Sequence, residues 1–156
     1  TLGFAALVIL LLQLVDITFT GTPMLSSHVM RENEFVKHIA TILVVWSALL
    51  YFIGRMYRWG TWAPAGVNPH SVVNHELCTT GPYSIVRHPL YTALIGGFLG
   101  TEIYLSSLLG LYVVPAYAFQ MIVLIAKEER QMRAKYKREY DEYRAHVRYK
   151  LIPYVY

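Results

Sequence analysis

Gly81-Pro82-Tyr83-Ser84-Ile85-Val86-Arg87-His88-Pro89-Leu90-Tyr91 joins a polar, turn-rich stretch to an apolar run. Pro89 suits the first turn of a helix, where its missing N–H costs nothing. The apolar run that follows turns at Ser106-Ser107 and closes on a second polar cluster, Lys127-Glu128-Glu129-Arg130. Two ionisable clusters bracketing a hydrophobic hairpin meet at the same face of a bilayer. A polar ligand site at a membrane surface is therefore expected.

Composition agrees. Of 156 residues, 55% are hydrophobic and only 15% charged, an unusual balance for a soluble domain of this size. The expected class is an all-α integral membrane protein of about four transmembrane helices, with a C-terminal amphipathic interfacial helix. Residues 1–156 read as a single domain: 1–57 supplies the N-terminal helices and 58–156 the ligand-binding part. The chain opens on Thr1 rather than Met, so a truncated N-terminus is expected. The stretch 2–15 lacks a basic leader and a small-residue cleavage site, so no signal peptide is expected. Cys78, the single cysteine, excludes an internal disulfide framework.

Residues 2–19 read as a first membrane helix ended by Gly21-Thr22-Pro23, and 35–56 as the clearest span. Residues 57–86 form a long polar and aromatic loop, a length usually reserved for function. Segments 90–105 and 108–126 make the hairpin, neither long enough for a comfortable straight span, with a kink expected at Pro115. Residues 127–150 read as one charged, tyrosine-studded amphipathic helix, and 151–156 as an interfacial tail. Four crossings place Arg55, Arg58, Arg87 and the nine Lys or Arg of the tail on one side, against Arg31 and Lys37 on the other. The positive-inside rule makes the rich side cytoplasmic. Both polar clusters and the C-terminus belong there. The excess charge suits anionic lipid headgroups rather than nucleic acid.

Arg87, His88 and Tyr91 stand at the mouth of the third helix, with His88 and Tyr91 on one helical face. Snorkelling to phosphates explains Arg87 and the tail cations, and interfacial anchoring explains Tyr91. Neither explains the Gly81-Pro82-Tyr83 lead-in or the paired Glu128-Glu129. Thr79-Thr80-Gly81-Pro82-Tyr83, then Arg87-His88-Pro89-Leu90-Tyr91, a hydrophobic hairpin and Glu128-Glu129 together resemble the isoprenylcysteine carboxyl methyltransferase family, to which phospholipid N-methyltransferases are related. The likeness runs from about Asn68 to Pro153 and includes the aromatic and acidic tail Tyr136–Tyr143.

The resemblance implies an integral-membrane enzyme that uses S-adenosylmethionine, releases S-adenosylhomocysteine and methylates a lipophilic substrate. The substrate it implies first is the carboxylate of a prenylated cysteine entering from the bilayer. It places the cofactor contacts on Asn68, His75, Glu76, Leu77, Cys78, Tyr83, His88, Pro89, Leu90, Tyr91 and Glu128. Arg87 and Glu129 are assigned to the catalytic centre. A carboxylate such as Glu128 suits the cofactor's ammonium group. Its own carboxylate needs a cation or donors, which His88, Arg87 or loop amides supply. Tyr83, Leu77 and Leu90 qualify as an adenine slot. Eukaryotic members carry a substrate-gripping arginine where this chain has Leu124, leaving Lys127, Arg148 or Arg87 for that role. Lys137 stands where a glycine often follows the aromatic residue.

Other patterns are weaker. His70, His75, Glu76 and Cys78 match no zinc spacing, and no metal is expected. Gly96, Gly97 and Gly100 make a small-residue face suited to close helix packing. Glu102 is expected near the far surface, where a charge costs less. His28 and His38 fall on that side too, with no role. Two rival functions are a phospholipid or amine N-methyltransferase and an NADPH-dependent membrane sterol or enone reductase. The latter family resembles the chain at His88-Pro89 and from Tyr143 through Leu151-Ile152-Pro153-Tyr154. A non-enzymatic scaffold is a third.

Overall fold

The computed structural model describes residues 33–58, 77–106 and 110–155. The expected first helix, His28, Asn68, His70, His75 and Glu76 lie outside them. The described residues form four α-helices: α1 (Glu34–Tyr57), α2 (Pro89–Tyr104), α3 (Gly110–Tyr136) and α4 (Arg138–His146), with a 3-10 helix at Gly81–Ser84 and no strand.

Helix α1 holds 24 residues, about 36 Å at 1.5 Å per residue, enough to cross a bilayer. Ile42, Val45, Leu49, Phe52 and Met56 are all exposed on it, an apolar surface that suits lipid rather than water. Among the described residues, α1 and α3 are the two helices long and apolar enough to span. Helix α2, with 16 residues, is shorter than a straight span, as expected.

Helix α3 corrects the expectation for its arm of the hairpin. It does not stop near Ala126 but continues to Tyr136, 27 residues in all, running through Pro115. The charged helix expected over 127–150 is accordingly divided. Ala126-Lys127-Glu128-Glu129 are strong helix formers, so the change of composition there brings no change of backbone. The break comes at Lys137, whose φ of 47° and ψ of −116° lie in a region that favours glycine. Helix α4 then runs to His146, and 147–150 has no regular secondary structure.

The chain divides into two compact units. In the first (1–48 and 94–122), α2 lies close on α1. A Cβ added at Gly96 would stand 2.7 Å from Ser47 Oγ, and one at Gly100 would stand 2.8 Å from Val44 Cγ2. The small-residue face thus serves close helix packing. The rings of Phe98 and Tyr117 meet at 4.9 Å. Helix α2 ends where Ser106 turns to a φ of 54°, a left-handed stop of the kind that ends many helices. Glu102 is 2% exposed, its carbon chain laid against the bare backbone of Gly110. His38 is exposed, with Nδ1 against the Glu34 carbonyl.

The second unit (49–93 and 123–156) is organised by the Gly-Pro turn. Gly81 has a φ of 61°, a left-handed conformation that glycine adopts freely. A Cβ there would stand 2.6 Å from the Tyr57 ring. Pro82 then starts the 3-10 helix with its φ preset. Tyr83 is thereby turned into the interior, where the Tyr143 hydroxyl donates to its carbonyl at 2.7 Å. Tyr140, Tyr143 and Val147 form a small core, with Leu77, Met132 and Tyr136 packed against it.

Candidate active site

Four stretches of the second unit converge on one charged cluster. The His88 turn is tied to the irregular stretch after α4. The Arg87 N–H donates to the Tyr149 carbonyl at 2.9 Å, and the His88 N–H to the Lys150 carbonyl at 2.8 Å. The Arg87 side chain adds Nη1 bonds to the carbonyls of Val147 (2.7 Å) and Arg148 (2.8 Å). Thr92 Oγ1 donates to the Leu151 carbonyl at 2.7 Å. This strap turns Arg87 and His88 toward the charged half of α3.

There the ion pairs close. Arg87 Nε donates to Glu129 Oε1 at 2.9 Å, with side chains 5% and 13% exposed. Lys150 Nζ stands 3.6 Å from the other oxygen of Glu129. Arg58, directly after α1, places Nη2 3.3 Å from Glu128 Oε1. His88 sits between the two acids, with Nε2 3.4 Å from Glu129 Oε1 and Nδ1 3.8 Å from Glu128 Oε2. Its ring lies 5.8 Å from that of Tyr91. Buried charges are tolerated when paired, and every cation of the cluster faces a carboxylate.

Two polar atoms are left over. Glu128 Oε2 and the Tyr83 hydroxyl are buried without a well-formed hydrogen bond among the described residues, although Arg58 stands by the Tyr83 phenol and Tyr91 by Glu128. Such atoms call for an explanation, a ligand being one. Burial pushes the Tyr83 phenol up to about 12, against the pull of Arg58. Burial also raises Tyr140 and Tyr143. All three phenols therefore stay neutral at ordinary pH.

Of the residues expected at the site, the structure brings together Tyr83, Arg87, His88, Tyr91, Glu128 and Glu129. Pro89 and Leu90 are buried in the same turn, and Leu90 rests on Gly54. Leu77 belongs to the tyrosine core. Cys78 Sγ donates to the Tyr57 carbonyl at 3.5 Å. Lys127 and Arg148 have exposed side chains, and only the Arg148 carbonyl enters the cluster. Arg58 and Lys150 also belong to the cluster, though the sequence marks them only as topology charges. Their only local signal is position, one at a helix end and one at the start of the tail. Among the described residues no group of three or more His, Cys, Asp or Glu is placed to hold a metal ion.

The fold and the site define a helical protein with membrane-length apolar helices and a buried cluster of paired charges beside the charged end of one of them. The chain belongs to the phospholipid methyltransferase family, which matches it over residues 36–139, from the start of α1 into α4. It is also similar to the cobalt-zinc-cadmium resistance protein CzcN of Cupriavidus metallidurans, 28% identical over 130 residues, which cover 83% of this chain and 56% of that protein. The chain thus spans little more than half the length of that relative. No solved structure matches.

Proposed function

We propose that this chain carries the cofactor site of an integral-membrane methyltransferase that uses S-adenosylmethionine and acts on a lipophilic acceptor. The observation that carries the reading is His88 lying within 4 Å of Glu128 and Glu129, although some forty residues separate them. Glu128 Oε2, a buried acceptor without a well-formed hydrogen bond among the described residues, fits an ammonium group such as that of the methionine part of the cofactor. Tyr83, Leu77 and Leu90 offer the apolar and aromatic wall an adenine needs. When bound, the cofactor supplies a methyl group on a positively charged sulfur.

The chain's own residues do the rest. Arg87 and the carbonyls of 147–150 hold the His88 turn rigid, and Glu129 anchors Arg87 rather than the substrate. Arg58 orients Glu128. Precise placement of the acceptor is where such a site gains most of its rate. The surplus of basic residues on the loop and tail supports a cytoplasmic site and a multi-pass topology.

An amine-bearing lipid is the acceptor that the geometry favours. Arg58, Arg87 and Lys150 each already face a glutamate, so a substrate carboxylate would have to turn to exposed Lys127 or Arg148. An amine needs no free cation, and the His88 imidazole at the cluster can take its proton. The prenylcysteine carboxylate is the second reading, with Lys127 in place of the arginine that Leu124 replaces. Rate against pH separates them: an amine reaction climbs with pH, whereas a carboxylate reaction stays flat above about pH 5.

Calorimetry with S-adenosylhomocysteine tests the site itself. The purified chain should bind it and should not bind NADPH, and Glu128→Gln should weaken binding about tenfold or more. No binding by the unsubstituted chain, or unchanged affinity in Glu128→Gln, overturns the assignment. Binding of NADPH instead would favour the reductase.

A further inference from the structure

The stretch 147–150 has a further use. Its carbonyls are all turned to Arg87 and His88. Val147, Arg148 and Tyr149 also line a groove of about 290 Å³, together with Ile85, Pro153 and Tyr154 among others. No acidic side chain lines it among the described residues. The rings of Tyr149 and Tyr154 meet at 5.2 Å. Around it Ile85, Ile152, Tyr154 and Val155 are exposed, a density of uncovered apolar side chains that water does not favour.

We propose that this groove seats an anionic phospholipid, its phosphate on Arg148 and its glycerol and first acyl carbons against Ile85, Pro153 and the Tyr149–Tyr154 pair. Charge complementarity supports the headgroup, since the lining among the described residues includes a cation and no anion. The level of the groove supports a lipid over a soluble anion. Its floor is hydrogen-bonded to the turn from which α2 departs, and α2 is apolar from Pro89 to Gly100. The groove therefore lies where the chain enters the apolar layer. Arginine and tyrosine are the side chains that favour that boundary. Because the floor also holds Arg87 and His88, a lipid seated there braces the charged cluster from outside. The inference requires only that the chain is membrane-embedded, and it stands whether or not the methyl-transfer reading does.

The test uses the full chain in a non-ionic detergent, adding dioleoyl phosphatidylglycerol, dioleoyl phosphatidylcholine or inorganic phosphate. Native mass spectrometry reads retained lipid and thermal unfolding reads stabilisation. Phosphatidylglycerol is expected to be retained about fivefold to tenfold better than phosphatidylcholine and to raise the midpoint by several degrees. Arg148→Gln, which keeps the backbone carbonyl, should abolish that preference. Arg138→Gln, at an exposed arginine on α4 outside the groove, should leave it intact. Equal retention of the two lipids, a preference that survives Arg148→Gln, an equal loss in Arg138→Gln, or the same shift from inorganic phosphate would each overturn the proposal.

Discussion

Arg87 Nε and Glu129 Oε1 meet at 2.9 Å across 42 positions of the chain, and the pair does more than neutralise charge. The same guanidinium holds the carbonyls of Val147 and Arg148, so the carboxylate orients the group that closes the strap. Removing one partner of a buried pair leaves the other charged and unpaired, which costs about 3–5 kcal/mol. Glu129→Ala is therefore expected to destabilise the chain by that amount in thermal unfolding in detergent. Glu128→Ala should cost clearly less, since its bond to Arg58 is longer, at 3.3 Å, and both side chains are nearly a fifth exposed. Equal losses would remove the structural role given to Glu129.

Gly81 meets Tyr57 so closely that its substitution combines two penalties. A Cβ would press on the tyrosine ring at 2.6 Å, and a φ of 61° is strained for any side chain. Gly81→Ala should lose about 2 kcal/mol, within the range for a non-glycine residue held in a left-handed conformation. Adding Tyr57→Ala relieves the contact but not the dihedral strain. The double substitution should thus show partial rescue, read as a coupling energy in a thermodynamic cycle. Strict additivity would mean that the ring simply moves aside.

The meeting of His88 with Glu128 was legible in the sequence for a geometric reason. Charges cannot remain in an apolar layer unpaired, so clusters at the two ends of a hydrophobic hairpin have to share a surface. Arg58 and Lys150 were not legible as site residues. Their partners lie far along the chain, at 70 positions for Arg58 and Glu128, and nothing local distinguishes them from other surface cations. The end of α3 was misplaced because a switch from apolar to charged residues reads as a boundary, while the backbone responds to propensity and stays helical.

Tyr143 and Tyr83 give the second unit a definite response to alkali. Burial raises both phenols, Tyr83 to about 12, from about 10 in an unfolded chain. A raised folded-state pKa contributes stability fully present below the unfolded value and lost as pH rises through the folded one. The unfolding midpoint should therefore hold steady to about pH 10 and fall between about pH 10 and 12. Tyr143→Phe removes the 2.7 Å bond to the Tyr83 carbonyl, which should cost about 1–3 kcal/mol at neutral pH. It also removes one of the titrating groups, so the alkaline fall should become shallower. A variant as steep as the unsubstituted chain would place the titration elsewhere.

Lys137 tests the break between α3 and α4. Its backbone stays in the hydrogen-bond ladder, donating to the Arg133 carbonyl and accepting from the Asp141 N–H, yet its dihedrals are those that only glycine takes without strain. Strain of this kind costs about 1–3 kcal/mol. Glycine's greater freedom in the unfolded chain offsets about 1 kcal/mol of what its substitution relieves. Lys137→Gly should therefore stabilise the chain by about 1 kcal/mol, whereas Lys137→Ala, which keeps the Cβ, should change it little. The side chain is exposed, so both substitutions leave the tyrosine core untouched. If Lys137→Gly destabilises as much as a glycine placed inside α3, the helix does not break at this residue.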